Sequence, residues 1–195
     1  MARSPAPVVT RRRLDPADRR AQIIDAAAGA FVARGFVATP ITDVADRAGV
    51  TVRIVYRHFR SKDELYRAVL ERTVARLGPV CEHPAGPYGI DTRLLLAAGR
   101  ADIDGFRVLW RHAAREREFT DVVTMTRARL VACARAGLAS WTPADVLDWS
   151  AAAVVGYQLE AVLTWLDHGR ADHDERLVRA TRAALRAGVR AWAAG

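Results

Sequence analysis

Helix-start signals recur along this chain, each followed by apolar residues at helical spacing, and no stretch alternates apolar and polar residues as a half-buried strand does. Asp15-Pro16-Ala17-Asp18 supplies an N-cap, a proline at the first helical position and an acid in the first turn, where the helix dipole favours negative charge. The helix it opens carries Ile23, Ala27, Ala30 and Phe31 on one side and is expected over residues 16–34, stopping at Gly35. Thr39-Pro40 repeats the signal before Ile41, Val44, Ala45 and Ala48, a short second helix closed by Gly49. A third short helix is expected from Thr51 to Phe59, with Val55 and Phe59 facing inward and Thr51, Arg53, Tyr56, Arg57 and His58 outside. Ser61-Lys62-Asp63-Glu64 fits a capping box, Ser at N-cap and Glu at N3. It opens a fourth helix with Leu65, Val69, Thr73 and Leu77 on one side, ended by Gly78-Pro79.

The segment Cys81 to Ile90 holds two Pro and two Gly and is expected to be a loop or domain boundary. Helical patterns follow over roughly 92–99, 102–116 and 119–138. Thr142-Pro143-Ala144-Asp145 then opens a long helix striped by Leu147, Ala151, Val155, Leu159, Val162 and Leu166 before Gly169. Leu177, Thr181, Ala184, Leu185, Gly188 and Trp192 line the last one. The fold class is therefore all-α. The expected divisions are a disordered basic arm at 1–14, a three-helix unit at 15–61, a connecting helix at 62–77 and a larger helical domain at 78–195.

Composition, 51% apolar and 27% charged, is ordinary for a soluble domain. No run of 18 apolar residues is present and the first ten residues lack an apolar signal core, so the expectation is a cytoplasmic protein without a membrane partner. Cys81 and Cys133 lie far apart with no Cys-x-x-Cys spacing, which excludes a disulfide framework or four-cysteine zinc site and leaves two plain thiols as the expectation. The net charge of +8 is concentrated at the front: residues 1–60 hold eleven Arg against five Asp, a balance of +6. Such an excess fits a nucleic-acid contact, and by itself fits an anionic membrane surface or a disordered tail as well.

The unit Ile41 to Phe59 has the layout of a DNA-reading helix-turn-helix: short helix, tight turn at Gly49, second short helix with hydrogen-bonding side chains outside. Arg53 and Arg57 have the chemistry for bidentate contacts to guanine. An Arg on a helix is also commonly a solvated charge. Lys62, the only lysine, stands in the first turn of the fourth helix, where free N–H groups and the dipole already favour a phosphate; plain solvent exposure is the competing reading.

The string Ile41-Thr42-Asp43-Val44-Ala45-Asp46-Arg47-Ala48-Gly49-Val50, with Tyr56-Arg57-His58-Phe59 and Ser61-Lys62-Asp63-Glu64-Leu65, resembles the DNA-binding domain of the TetR/AcrR family. The resemblance covers about residues 16–70 and includes Ala26 to Phe31, Gly35-Phe36 and Thr39. It implies that Tyr56, His58 and Lys62 contact phosphates, that Thr42 lies near the DNA backbone, and that Thr51, Val52, Arg53 and Arg57 face bases. Val52, Arg53 and Ile54 depart from the usual polar residue, glycine and threonine, so Val52 and Ile54 either meet thymine methyls or pack.

The resemblance further implies a homodimer whose last two helices pair into a four-helix bundle, two recognition helices about 34 Å apart and a near-palindromic double-stranded DNA operator. It also implies an apolar sensor pocket for a small-molecule effector, with release from the operator on binding, the behaviour of a repressor. Phe106, Trp110, Met125, Trp149 and Tyr157 are the lining candidates, with His112, Arg129 and Gln158 as polar anchors; for each, an ordinary core or surface place competes. No cofactor, metal site or enzymatic activity is expected: phosphate-loop, nucleophile-elbow and zinc-protease motifs are absent, and Asp167-His168 with Asp172-His173-Asp174 reads as a solvated interhelical loop. The alternative is a basic architectural protein that coats DNA without sequence preference or ligand.

Overall fold

The computed structural model describes residues 15–82 and 89–194, and every regular element among them is helical. The basic arm expected at 1–14 lies outside the described residues, as do residues 83–88 within the Pro/Gly-rich segment.

Helix α1 (Pro16–Ala38) is capped by the Asp15 carboxylate, which accepts from the Ala17 N–H at 3.2 Å. Its helical dihedrals break at Gly35 (φ 76°, ψ 174°), a left-handed turn suited to glycine, and one more turn swings Phe36 into the core. Thr39 does not cap α2 (Ile41–Arg47): its hydroxyl reaches back to the carbonyl of Gly35 at 2.6 Å, and α2 starts at Pro40 without a side-chain cap. The same shift recurs before α9 (Ala144–His168), whose N-cap is Pro143, while the Thr142 hydroxyl is buried without a partner among the described residues. In both places the proline's fixed φ marks the start.

Helix α3 (Val52–His58) packs on α2 through Val55, with Phe59 buried just beyond its end. Helix α4 (Lys62–Arg76) opens with the expected box: the Ser61 hydroxyl accepts from the Glu64 N–H at 3.1 Å. The Glu64 carboxylate reaches one residue further back than expected, to the Arg60 N–H at 2.7 Å. Leu65, Val69, Thr73 and Leu77 are all buried, and Tyr66 and Leu70 join them.

Gly78-Pro79 ends α4, but the chain makes another turn, α5 (Gly78–Glu82), so Cys81 stands on a helix and not in a loop. There it is disulfide-bonded to Cys133 of α8 (Thr120–Leu138), with Cα atoms 5.6 Å apart. This overturns the expectation of two plain thiols. Separation along the sequence is no bar once α5 packs on α8.

The single helix expected over 102–116 is three pieces: α7 (Ile103–Arg107), a π turn (Val108–His112) and a 3-10 turn (Ala113–Arg115). Asp102 separates it from α6 (Thr92–Ala101) and caps α7, its carboxylate accepting from the Gly105 N–H at 3.0 Å. The long α9 is the spine of the larger part, packed by α6, α8 and α10 (Asp174–Ala194), and its whole predicted stripe is buried. On α10 the buried stripe advances by fours through Leu177, Thr181, Leu185 and Val189, so Ala184 is exposed, and Gly188 and Trp192 are half-buried.

The acids between α9 and α10 serve ion pairs. Asp167 lies 2.9 Å from Arg107 and 2.6 Å from Arg111, and Asp172 lies 2.6 Å from Arg170. Asp174 accepts from Arg100 and from the Trp165 indole, both at 2.7 Å; the Arg100 bonds hold its carboxyl below the usual range against the effect of burial. Helix α1 is long and apolar enough to cross a membrane by length and composition, yet Ile23, Ile24, Ala27, Ala28 and Phe31 are buried in the helical core.

Candidate nucleic-acid interface

The α2–α3 unit is held from behind by apolar contacts and left bare in front. Val44, Ala45, Ala48, Val55 and Phe59 are buried, with α2 packed on α1 and α3 on α2, and Gly49 (φ 60°) turns the chain between the two helices. Gln22 of α1 ties the turn down by donating to the Ala48 carbonyl at 2.9 Å, and is itself held by Arg19 at 2.8 Å. A helix fixed this way presents a constant set of side chains, as base readout requires.

On that front face Thr51, Arg53, Tyr56 and Arg57 are exposed, as is Thr42 in the first turn of α2. Val52 and Ile54 are half-buried against the core, so they pack more than they reach outward. His58 is also half-buried, and its Nε2 has no partner among the described residues. Burial, and then the charges of Arg57, Arg20 and Arg19, hold its imidazole below the ordinary value, which favours the neutral ring. Arg19, Arg20 and Arg60 were not among the contacts expected from the sequence. Arg20 lies over the Phe59 ring at 4.8 Å, and exposed Arg60 follows the α3 cap; only the undivided basic excess of the front third pointed to them.

Lys62 has a different place from the one expected. Its ammonium donates to the carbonyls of Phe36 (2.8 Å), Val37 (3.2 Å) and Thr39 (3.2 Å) and sits 4.6 Å from the centre of the Phe36 ring. All three of its donors are used on the end of α1, whose last carbonyls lack helical acceptor roles. A phosphate contact from this ammonium would require breaking that arrangement.

Behind the interface, Phe31, Phe36, Tyr66 and Phe119 form one aromatic cluster, with Tyr66 4.8 Å from Phe31, 5.0 Å from Phe36 and 4.5 Å from Phe119. It joins α1 and α4 to the residue that opens α8. Burial pushes the Tyr66 phenol up, and its hydroxyl has no partner among the described residues.

The expected sensor residues divide. Phe106 and Gln158 are fully buried, and Trp110 and His112 are half-buried on the π turn. Gln158 donates to the Ile90 carbonyl (2.7 Å) and the Thr92 hydroxyl (2.8 Å), while its Oε1 and the Trp110 Nε1 are buried without partners among the described residues. Met125, Arg129, Trp149 and Tyr157 instead lie on the outer surface, Met125 71% and Trp149 57% exposed, and do not line an interior space within one chain. On α9, Trp149 and Tyr157 lie off the buried stripe that helical spacing picked out, so an apolar or aromatic side chain there does not by itself mark an inner position.

Residues 23–69 match the model of the family described as bacterial regulatory proteins, tetR family. The chain is 49% identical over 65 residues to the HTH-type transcriptional activator FasR of Mycolicibacterium smegmatis, a match covering 33% of this chain and 30% of that protein. It is 39% identical over 106 residues to the HTH-type transcriptional repressor Rv3405c of Mycobacterium tuberculosis, covering 51% of this chain and 56% of that one. Thus the matched segments span about a third to about half of these regulators' lengths. A TetR-like transcriptional regulator from Rhodococcus sp. RHA1 superposes with a TM-score of 0.74 at 25% identity, over 91% of this chain and 98% of that structure. With its helix-turn-helix matched in sequence over residues 23–69 and its helical architecture matched over 91% of its length, the chain carries a TetR-family DNA-binding domain on a TetR-like helical fold.

Proposed function

We propose that this protein is a homodimeric, sequence-specific DNA-binding transcriptional regulator of the cytoplasm, acting as a repressor that a small molecule releases from a near-palindromic operator. The observation that carries this reading is the face of α3: Thr51, Arg53, Tyr56 and Arg57 stand exposed on a helix fixed by buried Val55 and Phe59. Dimerisation is supported by the outer face of α9, where Trp149, Ala153, Tyr157 and Ala161 recur every four residues and stand exposed or half-buried. The buried Trp110 Nε1 and Gln158 Oε1, without partners among the described residues, are the polar atoms this reading assigns to the effector, together with Phe106 and His112. The relatives include a named activator and a named repressor, so the sign follows from where the operator lies.

Selection of bound sequences from a random DNA pool by purified protein tests the reading. A near-palindromic winner bound by dimers is the expected result. Binding without enrichment, with a steep salt dependence, overturns it in favour of an architectural protein.

A further inference from the structure

We infer that Cys81 and Cys133 form a reversible dithiol–disulfide site, oxidised by low-molecular-weight disulfides, that locks the far end of α4 to α8. Helix α4 carries Lys62, beside the DNA-reading unit, at one end and runs at the other through Leu77 directly into α5, where Cys81 lies. Cys133 stands on α8, which is fixed to the rest of the domain by buried Leu130, Ala134 and Leu138. The two Cα atoms are 5.6 Å apart, within the span a disulfide bridges without backbone movement. Both cysteines are only half-buried, so a small reagent can reach them, and the chain has no third thiol to exchange with.

The chemistry closes without an extra component. One thiolate attacks a sulfur of a glutathione-type disulfide and expels one thiol. The second thiolate attacks the protein sulfur of that mixed disulfide and expels the other. Two protons leave the cysteines, and the two electrons reside in the released thiols. Excess thiol reverses both steps. Because the bridge joins α4–α5 to α8, it removes their freedom to slide past one another, and any state of α4 that differs in DNA affinity is selected or rejected with it.

The regulatory consequence rests on the DNA-binding reading above, so the test has two readouts on the full-length protein equilibrated with oxidised or reduced glutathione. Intact mass should show reversible loss of two hydrogens, and amide exchange across residues 74–82 should slow by about tenfold in the oxidised form. Affinity for the selected DNA should differ by about tenfold between the two forms, within the ordinary range of allosteric coupling. The Cys81→Ser and Cys133→Ser variants should show neither effect. Failure to oxidise, failure to re-reduce, unchanged exchange in α4–α5, or equal DNA affinity in both forms overturns the proposal. Absence of specific DNA binding in both forms sinks the function proposed above, while the exchange measurement still decides the lock.

Discussion

Arg72 of α4 places its Nε 2.9 Å and its Nη2 2.8 Å from the same carboxylate oxygen of Asp102, the residue that divides α6 from α7. The other terminal nitrogen of Arg72 pairs with Asp25 of α1, so one guanidinium joins α1, α4 and the junction between α6 and α7. Both partners of the inner pair are sheltered, with side-chain exposures of 17% for Arg72 and 6% for Asp102. Removing one charge from a sheltered pair leaves the other without compensation, a larger loss than the pair itself is worth.

Arg72→Ala should therefore lower unfolding stability by about 3 kcal/mol in a urea titration. Adding Asp102→Asn should recover part of that loss, because the buried charge disappears while the amide oxygen still accepts from Gly105. An Arg72→Ala loss within experimental error of zero would show the guanidinium to be an ordinary surface group.

Lys62 offers a sharper choice. Its three carbonyl bonds and its place over Phe36 assign it to closing α1, whereas the sequence reading assigned it to phosphate. Lys62→Met should cost about 2 kcal/mol of stability, the scale of hydrogen bonding to a charged donor, and leave the salt dependence of DNA binding unchanged. A salt slope reduced by about one unit with stability intact would restore the phosphate role.

The α3 face predicts separable losses. Arg57→Ala should cost about 1–3 kcal/mol on the preferred sequence and relax the preference at one base position. Arg60→Ala should weaken all sequences alike and flatten the salt slope by about 0.9. Binding assays on selected and scrambled duplexes over a series of salt concentrations check both, and exchange of the two patterns would reverse the roles.

The helices were legible in the sequence because their cap and stop residues act locally: Asp15, Ser61 and Gly35 each perform at short range the task their chemistry suggests. What was not legible depends on residues brought together from afar. Thr39 and Lys62 spend their donors on the end of α1, and Cys81 meets Cys133 across 52 residues. On α9 spacing did pick the buried stripe, but the pocket candidate Tyr157 lies off it and is 44% exposed while Leu159 on the stripe is buried, so aromatic character alone did not mark an inner position.

That outward face of α9 predicts the assembly. Tyr157→Glu places a charge in the middle of the Trp149–Ala161 stripe without disturbing the buried side of the helix. If the stripe is the dimer surface, light scattering should show monomers at concentrations where the parent chain is dimeric, since a central aromatic anchor is worth about 2 kcal/mol or more. Circular dichroism should be unchanged. A dimer that survives the substitution would move the subunit contact away from α9.

The two imidazoles with depressed pKa set the pH response. His58 is held below the ordinary value of about 6.5 by burial and then by Arg57, Arg20 and Arg19, and His112 by burial and then by Arg115. In the unfolded chain both return to that ordinary value, so below pH ~6.5 the unfolded state binds more protons than the folded one. Their contribution to stability is therefore present above pH ~6.5 and is lost as pH falls through the folded values. The urea midpoint should fall between pH 7.5 and pH 5. His58→Phe, which keeps an aromatic ring in the half-buried site and removes the proton, should shallow that fall. A midpoint that declines equally steeply in the variant would mean that His58 does not contribute to the acid sensitivity of the fold.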